Sequence, residues 1–110
     1  MSRFNDIIDG NGHKHPREGS RPGGFCLAKN VECKDGVTLS VQVSEFHYCT
    51  PRSNVGPYTH VEVGFPSVKP HEAMMKFAEE PDMPTQTVYG WVPVEVMREF
   101  IELHGGEKED

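Results

Sequence analysis

Two runs of alternating apolar residues flank the tripeptide Lys34-Asp35-Gly36 and predict a β-hairpin. A two-residue Asp-Gly turn would set Leu39 opposite Glu32, which mixes apolar and charged side chains on one face. A three-residue loop pairs the apolar residues with one another and gives Gly36 the left-handed position of a type I turn with a bulge. The three-residue loop is therefore predicted, and it pairs Cys33 with Val37, Val31 with Leu39 and Leu27 with Val43.

Further alternation, bounded by proline and glycine, predicts strands over 58–65 and 87–92. The first of these strands is expected to have a buried face with Val61, Val63 and Phe65, and an opposite face with Tyr58, His60 and Glu62.

A C-terminal helix is predicted to have Pro93 at its first position and to stop at Gly105-Gly106. Its apolar face consists of Val96, Met97, Phe100, Ile101 and His104. A weaker helix is predicted over 71–79. Together these elements predict an α+β domain, a small antiparallel sheet of about four strands with the C-terminal helix packed on one face.

The length of 110 residues favours one folded domain, predicted over 25–106. Residues 1–24 are rich in glycine, proline and polar residues, which predicts a flexible N-terminal arm. Phe4, Ile7 and Ile8 are the only anchoring residues of the arm, either as a docking segment over 3–8 or as side chains packed into the core. Residues 107–110 are predicted to form an acidic tail.

The net charge of −6 is unevenly distributed, since residues 71–110 carry ten acidic and three basic residues, and residues 1–70 carry +1. A nucleic-acid binder normally presents a basic stripe, so nucleic acid is not an expected partner. No apolar run approaches the ~20 residues of a membrane span. The beginning of the sequence also lacks the apolar core of a signal peptide. We therefore expect a soluble intracellular protein without a membrane partner.

Three cysteines form, with His47, the spacing C-x6-C-x13-H-x-C over Cys26, Cys33 and Cys49. Zinc sites use tight knuckles such as C-x2-C, which are missing here. An odd number of cysteines without an export signal also argues against a disulfide framework. Buried thiols are therefore predicted, with no metal site and no cofactor.

The segment over 44–54 is the richest in polar and aromatic residues, and long loops in small domains are often functional. Arg52 is its strongest candidate, because a guanidinium pairs with carboxylate or phosphate and stacks on rings. The candidate ligand- or partner-binding residues are Phe46, His47, Tyr48, Arg52, Tyr58, His60, Glu62, Tyr89 and Trp91. They predict a ligand-sized cluster, a protein-contact surface, or a half-exposed sheet face with ordinary cross-strand pairs.

His47 and Cys49 are two residues apart and would point the same way on an extended chain. A cysteine nucleophile with a histidine base also needs an oxyanion donor, and nothing in the sequence supplies one. The motifs of phosphate-binding loops, zinc proteases and serine hydrolases are missing as well. No catalytic residue is predicted, and the enzyme hypothesis is the third choice.

The segments LSVQVSEFHYCTPR, GPYTHVEVGFPS and TVYGWVPVEVMREFIELHGG, over roughly 37–106, resemble small uncharacterised proteins encoded by bacteriophages and prophages. Those proteins share a hairpin, an HYC-x-PR loop and a YG-aromatic-VPVEV ending. The resemblance implies a phage accessory protein in the host cytoplasm, and it implies no mechanism. The first hypothesis is a non-catalytic protein that binds and modulates a host protein, for example a defence factor. The second is a binder or sponge for an anionic or nucleotide-like small molecule.

Overall fold

The computed structural model describes residues 2–17 and 27–108, and a four-stranded antiparallel sheet runs through them. The strands are β1 (Val31–Glu32), β2 (Thr38–Gln42), β3 (His60–Gly64) and β4 (Val88–Pro93), which neighbour one another in that order. The helices in this part of the chain are α1 (Arg3–Ile8), α2 (Glu72–Met75) and α3 (Val94–Leu103), with a 3-10 turn over Gly12–Lys14. The predicted α+β class is confirmed, including the C-terminal helix on one face of the sheet.

The hairpin has the predicted three-residue loop. Val31 pairs with Leu39, and the Cys33 amide donates to the Val37 carbonyl at 2.8 Å. Gly36 has a φ of +95°, a conformation that glycine adopts without steric cost.

The pairing of Leu27 with Val43 is wrong. The Leu27 carbonyl instead accepts from the Arg17 amide at 2.7 Å. Farther along, the Gln42 side chain bonds both the amide and the carbonyl of Ala28, at 2.9 and 3.0 Å. The Gln42 side-chain amide therefore forms the two hydrogen bonds with Ala28 that a paired backbone residue of β2 would otherwise form.

Helix α3 buries Met97, Phe100 and Ile101, as its apolar spacing predicts. It ends where the two glycines stand: the Gly105 amide donates to Glu102 and the Gly106 amide to Ile101, a Schellman motif. Its first residue is Val94, because the preceding proline is extended (ψ 143°) and still belongs to β4. The prediction for Pro93 is therefore one residue early.

The helix predicted over 71–79 is shorter, since α2 ends at Met75. Beyond it, Ala78 forms a bridge with Tyr89, and the Glu79 amide donates to the Val88 carbonyl at 3.0 Å. Residues 78 and 79 therefore pair with the edge of β4 instead of continuing the helix.

The predicted flexible arm over 1–24 is wrong for residues 3–17. On α1, Ile7 and Ile8 follow Phe4 by one helical turn, and all three are buried in the central apolar cluster. Burying a large apolar side chain contributes roughly 1.5–3 kcal/mol, so three of them offset much of the roughly 6–12 kcal/mol of backbone entropy that ordering six residues costs. The rest of the predicted arm, 18–24, lies outside the described residues.

The predicted acidic tail over 107–110 is wrong at its first residue. The Glu107 carboxylate accepts from the Ser2 hydroxyl at 2.5 Å and from the Phe4 amide at 3.2 Å. A carboxylate at the first turn of a helix satisfies open amides and complements the helix dipole. The Lys108 amide also donates to the Glu32 carbonyl at 2.8 Å, while 109–110 lie outside the described residues.

The sheet has an inner face, which packs on the helices, and an outer face opposite to it. The inner side chains of the three longer strands are Leu39, Val41, Val61, Val63, Tyr89 and Val92. Phe65, predicted to continue this row, is 59% exposed because its φ of +51° turns the chain over at the end of β3. Among the described residues, no helix combines the length and hydrophobicity needed to cross a bilayer.

Candidate functional site

The candidate site is organised around a β-bulge, an extra residue in β4 opposite Glu62. Val61 pairs with Val92 and Val63 with Tyr89, so that two residues of β4 oppose Glu62 alone. Such a bulge reverses the alternation of side chains, and here the second bulge residue, Trp91, has a φ of +51°. Trp91 is 47% exposed on the outer face, while Tyr89, two residues earlier, is fully buried.

The loop over 44–54 crosses the outer face of β3 and reaches this bulge. The Trp91 amide donates to the Tyr48 carbonyl at 2.9 Å, and the Tyr48 amide in turn hydrogen-bonds the Glu62 carboxylate. Gly90 leaves room for the Tyr48 side chain, because a Cβ there would lie 3.3 Å from that of Tyr48. The bulge thus holds the loop in two ways: the Trp91 amide bonds the Tyr48 carbonyl, and Gly90 leaves space for the Tyr48 side chain.

Three side chains then stack in sequence, and we call Trp91, Tyr48 and Arg52 the ladder. The Tyr48 and Trp91 rings are stacked with centroids 4.8 Å apart and planes at 26°. The Arg52 guanidinium lies 5.6 Å from the Tyr48 centroid, within cation–π range, and its Nε donates to the Glu45 carbonyl at 3.1 Å. Phe46, 66% exposed, extends the apolar surface of the same loop.

His47 is buried between Ser44 and Glu62. Its Nδ1 lies 2.6 Å from the Ser44 hydroxyl, which also accepts from the Phe46 amide at 3.0 Å. Its Nε2 lies 3.7 Å from the Glu62 carboxylate, too far for a strong hydrogen bond. Burial lowers the pKa of His47 from its usual value, which favours the neutral ring. A ring that accepts from Ser44 then carries its proton on Nε2, facing Glu62.

Burial shifts the pKa of Glu62 in the direction opposite to that of His47. Burial raises its pKa, and repulsion from Glu79 adds to the effect, while the Tyr48 amide and Arg52 act against it. Burial therefore favours the neutral forms of both His47 and Glu62, and their contact is mainly one of packing and orientation. This combination fits a structural support for the loop better than a charged acid–base pair.

Cys49 does not have the geometry of a nucleophile. Its thiol donates to the backbone carbonyls of Ser44 at 3.2 Å and Pro51 at 3.3 Å. Burial raises its pKa, whereas a reactive thiolate needs a lowered one. The loop is turned rather than extended at this point, since the Cys49 amide donates to the His47 carbonyl at 2.9 Å. The thiol therefore anchors the loop.

Two predicted site residues lie elsewhere. Tyr89 is buried in the core with its hydroxyl on the Pro84 carbonyl at 2.6 Å, because the bulge separates it from Trp91. Tyr58, placed with His60 and Glu62 from the alternation, precedes β3 and is also buried; its amide donates to the Ile8 carbonyl at 2.7 Å.

The other predicted residues, Phe46, His47, Tyr48, Arg52, His60, Glu62 and Trp91, lie in the loop, on the outer face of β3 and at the bulge. Of these, the contacts described above join His47, Tyr48, Arg52, Glu62 and Trp91 directly. His60 lies at the first position of β3, where Thr50 pairs with it and its Nδ1 is 2.9 Å from the Thr59 hydroxyl. Ser44 and Gly90 were missed, since only the fold shows that one orients His47 and the other makes room for Tyr48.

A concavity of about 370 Å³ separates the loop from the N-terminal segment. Its walls include Gly10 and Gly12 on one side and Phe46 and Asn54 on the other, with Tyr58 also lining it. It lies beside the ladder rather than within it, since none of the three ladder residues lines it.

The two cysteines in the described part of the chain are free and lie apart from any ligand cluster. Burial raises the pKa of Cys33 to about 11, with Asp35 and Glu107 adding to the effect. Within 2–17 and 27–108, no three histidine, cysteine, aspartate or glutamate side chains lie together as a metal ion would require. Cys26 lies outside these ranges.

Comparisons of the chain with protein-family models, with curated proteins and with solved structures gave no match.

Proposed function

We propose that this protein is a non-catalytic accessory protein that binds another protein through the ladder and Phe46. The resemblance to phage and prophage proteins makes a host protein in the bacterial cytoplasm the proposed partner. The observation that carries the proposal is the ladder itself, an exposed stack of tryptophan, tyrosine and arginine held on a strand bulge.

Residue type supports protein binding. Tryptophan, tyrosine and arginine are enriched among the few residues that dominate binding energy at interfaces. Trp91 and Phe46 present apolar surface, and no carboxylate in the described part of the chain lies within ion-pair distance of Arg52. A partner carboxylate or carbonyl can therefore complete its hydrogen bonds.

Preorganisation supports it as well. Ordering long side chains on binding costs roughly 0.5–1.5 kcal/mol each. Here Tyr48 is fixed by the Trp91 ring and by two backbone hydrogen bonds, and Arg52 by Tyr48 and the Glu45 carbonyl. Tyr48 and Arg52 therefore lose most of their side-chain conformational entropy when the domain folds rather than when it binds a partner.

Photo-cross-linking in the bacterial host tests the surface. A benzophenone amino acid replaces Phe46 in one variant and Leu103, which is 61% exposed on α3, in the control. We expect one specific host protein to be cross-linked at position 46 and not at 103. The same adducts at both positions, or adducts only with a second copy of the chain, would contradict the proposal.

Trp91→Gly tests the ladder without backbone strain, since glycine accepts the φ of +51°. We expect it to weaken capture of the cross-linked protein at least ~30-fold, which corresponds to ~2 kcal/mol at an interface hot spot. Arg52→Lys keeps the charge but loses the planar stack, so a smaller loss is expected. Unchanged capture by a folded Trp91→Gly protein would remove the ladder from the interface.

The alternative is a binder of an anionic or nucleotide-like small molecule held by Arg52. The stacked rings support it less, because a 4.8 Å separation leaves no slot for a ligand between Tyr48 and Trp91. Native mass spectrometry of the purified protein separates the two functions, since a retained small molecule lost in Arg52→Lys would favour this alternative.

A further inference from the structure

A second concavity, of about 380 Å³, lies over β2 and β3 and shares no lining residue with the ladder. It is lined by Arg17, Lys29, Asn30, Ser40, Gly64 and Phe65. Ser40 and Gly64 are paired across the two strands, so they form its floor on the outer face of the sheet. Its volume is at the lower end of the ~300–1,000 Å³ range of small-molecule sites.

The charge of this concavity differs from that of the whole chain. The protein has a net charge of −6, yet among the described residues the charged ones that line the concavity are both cations, Arg17 and Lys29. Within 2–17 and 27–108, neither cation has a carboxylate at ion-pair distance. Two cations that line one concavity, with no carboxylate partner in the described part of the chain, favour an anionic ligand.

Arg17 is held in place by neutral groups. Its Nη2 donates to the Ser40 hydroxyl at 3.0 Å and lies 3.4 Å from the Asn30 side-chain oxygen. Its backbone amide donates to the Leu27 carbonyl, which fixes the position of the residue. The Nε and Nη1 groups have no hydrogen-bond partner among the described residues, so they remain available for the oxygens of a phosphate.

Gly64 leaves space at the floor of this concavity, and Phe65 provides an aromatic surface at its rim. Gly64 has no side chain, and a Cβ there would meet only the Ser40 Cβ, at an ordinary 3.7 Å. Phe65 stands at the rim, 59% exposed, with a φ of +51° that a bulky residue seldom adopts. Such conformations cluster at ligand sites, and here the conformation turns the ring away from the core.

We propose that this concavity binds a mononucleotide-sized ligand. Arg17 and Lys29 hold its phosphate, and its planar base lies over Gly64 against the Phe65 ring. The site is independent of the protein-binding proposal, because the two surfaces have no residue in common.

Titration of the full chain by NMR, at low salt because exposed charges are screened, tests the site. The probes are adenosine 5′-monophosphate, inorganic phosphate and adenosine. We expect the monophosphate to shift the resonances of Ser40, Gly64 and Phe65 with a Kd of about 1 mM or tighter. Phosphate and adenosine should each bind at least ~10-fold more weakly, since each meets half of the site. No saturable shift at these residues would overturn the proposal, as would equal binding of phosphate alone.

Gly64→Ala is the sharpest variant, because it fills the floor while making only an ordinary contact with the protein. We expect it to keep the melting temperature and to weaken monophosphate binding at least ~10-fold by steric exclusion. Arg17→Gln should weaken binding to a similar degree, and the exposed Lys76→Gln, matched in charge loss, should not. Wild-type binding by a folded Gly64→Ala protein would overturn the proposal. Trp91→Gly should leave binding intact, which keeps this test separate from that of the ladder.

Discussion

The N-terminal segment (2–17) and the loop over 44–54 are both mostly polar, yet different forces hold them. The N-terminal segment is anchored by Phe4, Ile7 and Ile8, which form one buried face of α1. The loop is anchored by hydrogen bonds that its own side chains form: the Cys49 thiol donates to the Ser44 carbonyl, and the Asn54 side-chain oxygen accepts from the Glu45 amide. In these two polar segments, the spacing of the apolar residues, rather than their fraction, decides which one joins the core.

The largest difference between the two regions is expected on removal of a buried ring. Phe4→Ala should lower the free energy of unfolding by ~3–5 kcal/mol, because it leaves a cavity beneath α1 where Phe4 is 1% exposed. Asn5→Ala, on the exposed side of the same helix, should change it by less than ~0.5 kcal/mol. Urea denaturation measures both. Similar small effects would mean that the segment does not contribute to the core.

The next largest effect is expected at Gly56, two residues after the loop, where the chain packs against the N-terminal segment. A Cβ at Gly56 would lie 2.8 Å from the Asp9 carbonyl carbon and the Gly10 nitrogen, both backbone atoms that cannot rotate away. Gly56→Ala should therefore destabilise the protein by ~1–3 kcal/mol through overpacking. Gly64→Ala, with its ordinary 3.7 Å contact, is the matched control in a thermal unfolding comparison. Equal melting temperatures of Gly56→Ala and Gly64→Ala would show that the backbone around Gly56 and Gly10 can relax.

A smaller loss is expected within the loop. Ser44→Ala removes the hydroxyl that orients His47 and accepts from the Phe46 amide, which should cost ~0.5–1.5 kcal/mol. The exposed Thr85→Ala should be neutral. Hydrogen exchange of the Trp91 amide, which bonds Tyr48, should speed up in Ser44→Ala alone if the turn supports the ladder. An unchanged exchange rate would separate the turn from the ladder.

The smallest expected effect is a pH dependence in the loop. Burial lowers the pKa of His47, so just below pH 6.5 the unfolded chain binds a proton that the folded chain does not. Acidification from pH 7 should therefore destabilise wild type more than His47→Gln, as urea denaturation at a series of pH values would measure. The raised pKa of Glu62 acts in the opposite direction, and it is present in both proteins. Parallel stability curves for the two proteins would contradict the assignment of a neutral His47.

Local patterns predict the parts of the fold that depend on neighbouring residues. The pairing of Val31 with Leu39 follows from turn length, and the end of α3 follows from Gly105-Gly106. Both are decided within a few residues of chain, where backbone sterics and alternation leave one solution.

Two departures from alternation explain why Tyr89 and Phe65 do not lie where the pattern predicts them. The bulge in β4 puts Tyr89 and Trp91, two residues apart, in the core and at the surface, and the positive φ of Phe65 turns out a residue predicted to be buried. An alternating pattern contains no sign of an inserted residue, because a bulge is stabilised by what packs on it. Here that is Tyr48, more than forty positions away in sequence.

The contact of the Ser2 hydroxyl with the Glu107 carboxylate has a practical consequence for protein engineering. Residues near the two ends of the described chain lie side by side, so the domain can be grafted into a surface loop of a carrier protein through two closely spaced junctions. Such a graft would display the ladder on a rigid support. It would also keep the carboxylate at the start of α1, provided that both junctions leave residues 2–108 intact.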